Sequence, residues 1–245
     1  MTTRNRLTIT QVNPLDASSY NNAFLTFDID WTSDEVIGDT LNLVKDAEVA
    51  ATFFVTHQTP VLDELRQCKD IELGLHPKFA KLLDGTAQSQ SAKFVLGELQ
   101  KLVPEALSIR SHSVVQSSRL TGLFVQHGLS HESNIYIPYW TGINVKPWRS
   151  DEGIIHVPYC FSDELVCIGS EPVTQTVLRR LISSEGLKVF NFHPIHVFLN
   201  TESLDRYEGT RHLHNHPTEL VKCRYSGYGT RSRLLELLSL IDGLK

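Results

Sequence analysis

Two carboxylates one residue apart close an apolar run in this chain: Ala23-Phe-Leu-Thr-Phe leads into Asp28, Ile29, Asp30 and Trp31. The run reads as a buried strand, so the acids sit at its C-terminal tip, where charge is costly unless a cation lies nearby. A metal ion is the commonest such cation. Period two points Asp28 and Asp30 the same way, and two anions this close raise each other's pKa unless something positive intervenes. One acid would then ligate a metal while the other, held ionised, takes a proton from water. A helix cap and turn is the ordinary alternative for aspartate after a strand, and the pair alone leaves both open.

Three other strand-like runs end in basic groups: Ile71-Glu-Leu-Gly-Leu-His76, Leu107-Ser-Ile-Arg110-Ser-His112 and Val189-Phe-Asn-Phe-His193. An imidazole at a strand tip is a natural zinc ligand, as at His76, which Pro77 fixes just past the strand. Arg110 is the best partner to hold Asp28 ionised, with Glu132 a candidate brace behind it, and His112 shares its strand face. His193 could protonate a departing amine or alcohol, with His196 the competing choice. Taken singly, each histidine also fits a loop residue bonded to backbone. Collected at the ends of separate strands, the set is what a metal-dependent hydrolase built on an α/β barrel looks like.

Other features carry less. His212-x-His214-x-His216 lies in a polar, irregular stretch and reads as a solvated loop rather than a metal clip. Gly227-Tyr-Gly229 lacks the lysine and spacing of a phosphate loop and reads as a turn with a helix cap. Tyr139, Trp140, Trp148 and Tyr159 could stack on a sugar ring or belong to the core.

The elements that must position these residues alternate along the chain. Strands are expected over Ala23–Phe27, Ala50–Thr56, Ile71–Leu75, Leu107–Ser113, Gly128–Ser133, Ile154–Pro158 and Leu187–Phe192. Helices are expected after Ser33, from Pro60, across Phe94–Val103, around Ser118–His127, over Val173–Ser184 and over Arg231–Asp242. The polar stretch Asp84–Ser91 is long enough to overhang a site. Pro138–Arg149 and about Asn200 to Gly229 have no clear period. With no repeat or linker, the expectation is an α/β fold in one domain over 1–245, with seven or so strands.

The bulk numbers exclude some classes. The composition, 41% hydrophobic and 21% charged over 245 residues, is that of a soluble globular protein. A net charge of −5 argues against a nucleic-acid binder. The N-terminus leads into no signal-peptide core, and no segment reaches the roughly 20 apolar residues that span a bilayer. Cys68, Cys160, Cys167 and Cys223 show no Cys-x-x-Cys spacing, which suggests reduced thiols and a cytoplasmic location.

In order along the chain, these pieces resemble a known family. Thr26-Phe-Asp28-Ile-Asp30 resembles the first motif of the NodB-type polysaccharide deacetylases (carbohydrate esterase family four), and Ala51-Thr-Phe-Phe-Val55 the strand that follows it. Arg110 fits the arginine of the third motif and Phe192-His193 the histidine of the last, with the WbmS-like O-antigen branch the nearest match. The resemblance implies a distorted (β/α) barrel of about seven strands, with Asp28 as base, Asp30 as metal ligand, Arg110 orienting the base and His193 as acid. The chain departs from the family pattern at the second motif, where Ala80 stands four residues after His76 in place of a second histidine. His112 is the candidate replacement, giving a metal set of Asp30, His76 and His112. The tyrosine usual after the motif-three arginine is also missing, with Ser113 and Val114 in its neighbourhood.

The expected activity is hydrolytic removal of an N-acetyl or related acyl group from a sugar in surface-polysaccharide or O-antigen biosynthesis. The cofactor would be a divalent metal, zinc (Zn2+) first, and the substrate an acetylated sugar or a nucleotide- or lipid-linked precursor. The alternatives are a metal amidase on a non-sugar amide and a catalytically degenerate binding barrel.

Overall fold

The computed structural model describes residues 7–83, 91–169 and 173–242. The stretch 84–90, expected to overhang the site, lies outside them. Among the described residues there are nine strands: β1 (Ala23–Asp28), β2 (Ala51–Val55), β3 (Ile71–Leu75), β4 (Ser108–Ile109), β5 (His131–Glu132), β6 (Trp148–Arg149), β7 (Ile155–His156), β8 (Phe161–Ser162) and β9 (Lys188–Phe192). They form one sheet in the order β6-β7-β5-β4-β3-β2-β1-β9-β8. Every pair is parallel except β6 with β7. The sheet curls into an open half-barrel, a single α/β fold of the kind expected.

The central strands are buried on both faces, as parallel strands between layers must be. Leu25, Phe27, Phe53, Val55, Phe190 and Phe192 pack outward against helical residues such as Ile37, Leu41, Leu65, Leu99, Leu178 and Leu237. The alternate residues turn inward. At the lower end Phe24, Phe54 and Val189 pack with Ile9, Val12, Val157 and Tyr159. The N-terminal segment closes that end: Ile9 N–H donates to Thr52 Oγ1, Thr10 N–H to Glu72 Oε2, and Val12 C=O contacts His131 Nε2 at 3.0 Å. Gly74 is required inside, because a Cβ there would lie 2.6 Å from both the Phe54 ring and Ser108 Oγ.

Strand register explains why chemistry gathers at the other end. Thr26 aligns with Asn191, Asp28 with Phe54, and Phe54 with Gly74. With side chains alternating along each strand, Asp28, His76, Arg110 and His193 emerge at the C-terminal rim.

Seven of the nine strands are those expected, most of them trimmed at the ends. The other two, β6 and β8, are two-residue pieces too short to show a period. The expected strand Leu107–Ser113 is cut to β4. After Arg110 the chain leaves the sheet because His112 N–H bonds Pro77 C=O at 3.0 Å, and His112–Val114 forms a 3-10 turn. The stretch from Asn200 to Gly229 contains short helices at Leu204–Gly209 and Pro217–Leu220. These pack Leu220, Tyr207 and Leu213 against Val36, Ile195 and Phe198. Among the described residues no helix is long and apolar enough to cross a membrane.

Candidate active site

Asp28 ends β1 almost fully buried, at 3% exposure. Its Oδ1 accepts from Arg110 Nη1 at 3.1 Å and its Oδ2 from Asn191 Nδ2 at 2.8 Å. Arg110 is itself fixed. Its Nη1 also donates to Thr26 Oγ1 and to Asn191 Oδ1, and its Nε and Nη2 reach Ser133 C=O and Oγ. Its guanidinium carbon lies over the Phe54 and Tyr159 rings, 4.6 and 4.8 Å from their centroids. Burial alone would push the Asp28 carboxyl up, but Arg110 and the nearby His76 and His193 outweigh it and hold it below the usual carboxylate range. Asp28 is therefore an ionised acid with a guanidinium partner and one rotamer.

Arg110 thus partners Asp28 as expected, but Glu132 is not its brace. Glu132 instead accepts from Asn134 Nδ2 at 2.7 Å and from Thr121 Oγ1 at 3.4 Å, and Ser133 takes the place behind Arg110.

Asp30 lies two residues on, past the strand end, in the left-handed region at φ 38°. Its Oδ1 is 3.2 Å from His76 Nε2 and 3.3 Å from His112 Nδ1. Donor atoms of Asp30, His76 and His112 all fall within 4.8 Å of one another, the one such group among the described residues. Burial would raise the Asp30 carboxyl, but hydrogen bonds to His112 and His76 pull it far below its ordinary value. His76 is held by its N–H donating to Val55 C=O, and among the described residues its buried Nδ1 has no hydrogen-bond partner, lying 3.9 Å from Asp28 Oδ1. Two imidazoles aimed at one carboxylate oxygen are a donor set that fits a divalent cation. His112, which the turn after β4 delivers, thus stands beside Asp30 and His76. Two pairs of left-handed residues bracket the group, Asp30-Trp31 and Ser113-Val114. Each costs about 1–2 kcal/mol, strain of the sort that concentrates at functional sites.

His193 caps the helix Pro194–Leu199, with Pro194 at its first position. Its Nε2 is 3.8 Å from Asp28 Oδ2 and 3.7 Å from Asp30 Oδ2. Behind it, Asp163 takes both polar groups: Oδ1 meets Nδ1 at 2.7 Å and Oδ2 accepts the backbone N–H at 2.8 Å. Burial disfavours the imidazolium, yet Asp163, Asp30 and Asp28 push His193 up to about 10. His196 diverges from it. Burial brings His196 down to about 4, and its Nδ1 is engaged by Thr201 Oγ1 at 2.9 Å. Of the two neighbours, His193 is the one that carries a proton at neutral pH.

These groups line one cavity of about 470 Å3, walled on one side by Tyr207, Arg211 and His214. Tyr159 lines the cavity but Trp140 and Trp148 do not, so only part of the aromatic set lies at the site. His212 and His216 belong to no metal group among the described residues. Asn191, Asp163, Ser133 and Trp31 are site features that motif reading passed over. Asn191 had a signal, since it sits on the inward parity two residues before His193. Asp163 had none, because the two-residue β8 before it is invisible to periodicity.

A family model described as WbmS-like polysaccharide deacetylase matches residues 25–211. The chain belongs to the WbmS-like polysaccharide deacetylases. Among solved structures, a WbmS protein from Bordetella bronchiseptica, described as a polysaccharide deacetylase involved in O-antigen biosynthesis, is 36% identical. It superimposes with a TM-score of 0.89, covering 95% of this chain and 96% of that one. A Mycobacterium smegmatis protein described as a polysaccharide deacetylase has the same fold at 16% identity, with a TM-score of 0.50 and 91% of each chain covered. No curated protein matches the sequence. The deacetylase family fits a hydrolase acting on carbohydrate.

Proposed function

We propose that the protein is a metal-dependent deacylase that removes an N-acetyl or related acyl group from a sugar precursor of a surface polysaccharide such as O-antigen. The observation that carries this is the convergence, in one cavity, of three kinds of group. Asp30, His76 and His112 form a cation-type donor set, Asp28 is an ionised carboxylate, and His193 is a protonated imidazole. A divalent metal held by Asp30, His76 and His112, zinc first, would supply a Lewis acid that polarises the amide carbonyl and acidifies water.

The chain's own residues do the rest. Asp28 accepts the proton of the attacking water as oxygen adds to the carbonyl carbon. Its low pKa makes it a weak base, which suffices only for water already acidified. Arg110 and Asn191 hold the carboxylate in one orientation, so its proton transfer needs no rearrangement. His193 then donates its Nε2 proton to the departing nitrogen as the C–N bond breaks, releasing a carboxylic acid and a free amino sugar. Asp163 keeps the ring turned with Nε2 toward the cavity and stabilises its charge.

The test is acetate release from a panel of N-acetylated sugars and their nucleotide-linked forms, with Asp28→Asn beside the wild type. Loss of at least about a hundredfold in kcat with metal content unchanged is expected for Asp28→Asn. Full activity in that variant would refute the base assignment, and no acetate from any sugar, metal-loaded, would refute the substrate class.

A further inference from the structure

Trp31 stands at the mouth of the cavity on a backbone unsuited to it. A bulky residue at φ 54° is a genuine outlier, and it follows Asp30, which is also left-handed. Its N–H donates to Thr56 Oγ1 at 3.1 Å, which fixes the turn. The indole is nonetheless 43% exposed. Its ring lies 5.2 Å from that of His112 at 76°, and the Lys78 ammonium stands 4.9 Å from its centroid. It borders the catalytic cavity on one side and, on the other, a groove with Lys78 and the half-exposed Phe94.

An isolated exposed aromatic needs no explanation. One that keeps a strained backbone and sits one imidazole away from the cation-type cluster does, because folding alone would favour glycine or asparagine at that φ. The core gains little from it, since Trp31 belongs to none of the buried clusters. A flat apolar surface beside a site that handles an acyl amide matches one substrate feature, the C–H face of a pyranose ring. Aromatic faces attract polarised C–H groups, and with Trp31 43% exposed, part of the indole stays open beside the cavity.

We propose that Trp31 is the sugar platform and a specificity-determining residue. The apolar face of the pyranose whose acyl amide enters the cavity lies on the indole, which holds the amide carbonyl beside Asp30, His76 and His112. This rests on the deacylase reading for the identity of the reacting group, but stacking itself is separable from chemistry.

The test uses zinc-loaded full-length protein with the methyl glycosides of N-acetylglucosamine and N-acetylgalactosamine as probes. Calorimetry gives Kd, indole fluorescence reports contact, and acetate release gives KM and kcat. Trp31→Gly relieves the left-handed strain while deleting the ring, and Trp31→Phe keeps a smaller platform. Wild type should bind at least one glycoside with quenching. Trp31→Gly should weaken Kd and raise KM about tenfold, equivalent to about 1.4 kcal/mol. Metal content should hold, the melting temperature should stay level or rise, and Trp31→Phe should recover much of the affinity. The quench should vanish in both variants, since Trp140 and Trp148 lie away from the cavity. Unchanged Kd and KM in Trp31→Gly would overturn the platform, as would a loss of affinity that merely follows lost metal, or no glycoside binding to wild type. Platform-dependent binding without acetate release would sink the hydrolase reading and leave the platform standing.

Discussion

Replacing Asp163 by asparagine separates orientation from charge at His193. The amide can still accept the His193 backbone N–H, but it cannot balance an imidazolium at Nδ1. His193 is pushed up to about 10 from an ordinary 6.5, a difference worth roughly 5 kcal/mol of preference for the charged ring. Asp28 and Asp30 supply part of this, leaving roughly 2–4 kcal/mol to Asp163 and a fall of about two pH units on its loss. A cation on the Asp30 cluster lowers the value in both proteins alike, so the difference between them is the quantity to read. In acetate-release profiles the basic limb of kcat should move acidward by about two pH units, with kcat above it falling about a hundredfold. The stability sign is fixed too. Because the folded-state value is raised, the contribution of His193 is full below pH 6.5 and is lost as pH rises through about 10, so the variant's loss of stability is largest at and below neutral pH and fades toward pH 10. An unmoved basic limb with kcat within about twofold would refute the role given to the Asp163–His193 pair.

Arg110→Met should leave Asp28 as a buried charge without its cation, costing about 3–5 kcal/mol and lowering the melting temperature by about 10 °C. An unchanged melting curve would contradict the ion pair. Gly74→Ala drives a methyl into Phe54 and Ser108, and since Phe54 stacks on Arg110, calorimetry should give a loss of about 1–3 kcal/mol together with reduced kcat. Buried His196, held neutral with a value near 4, has the opposite sign to His193. Its stabilisation is complete above pH 6.5 and lost as pH falls toward 4, about 3 kcal/mol in all. Denaturant titrations of metal-free His196→Gln should show a flatter acid limb than wild type, and equal slopes would contradict the assignment.

The barrel was legible because its central strands are long and buried on both faces. Ala23–Asp28 and Lys188–Phe192 are buried along their whole length and Ile71–Leu75 over its second half, and each is mostly apolar, with Thr26, Glu72 and Asn191 as polar interruptions. The rim was less so. Two-residue strands such as β6 and β8 have no periodicity, and with β8 went Asp163, which begins the next helix as an ordinary cap-like acid. His112 does lie beside Asp30 and His76, but a 3-10 turn anchored to Pro77 carries it, not the expected strand. Asp28, Asp30, His76, Arg110 and His193 were findable because each ends an apolar run or aligns with one that does. Glu132 misled because the sequence does not reveal register: β5 aligns Glu132 with Ile109, so it is Ser133 that stands level with Arg110. The segment from Asn200 to Gly229 looked like solvent-exposed loop because its few apolar residues are spaced irregularly. Packing onto Ile195 and Phe198 makes it a cavity wall instead.

The measurement that bears most directly on the central claim is metal content of untagged protein, compared with Asp30→Ala, His76→Ala and His112→Ala. About one equivalent of divalent metal is expected in the wild type, lost in all three variants, with acetate release lost in parallel. Metal retained in all three, and removed only by changing His212, His214 and His216, would contradict the account.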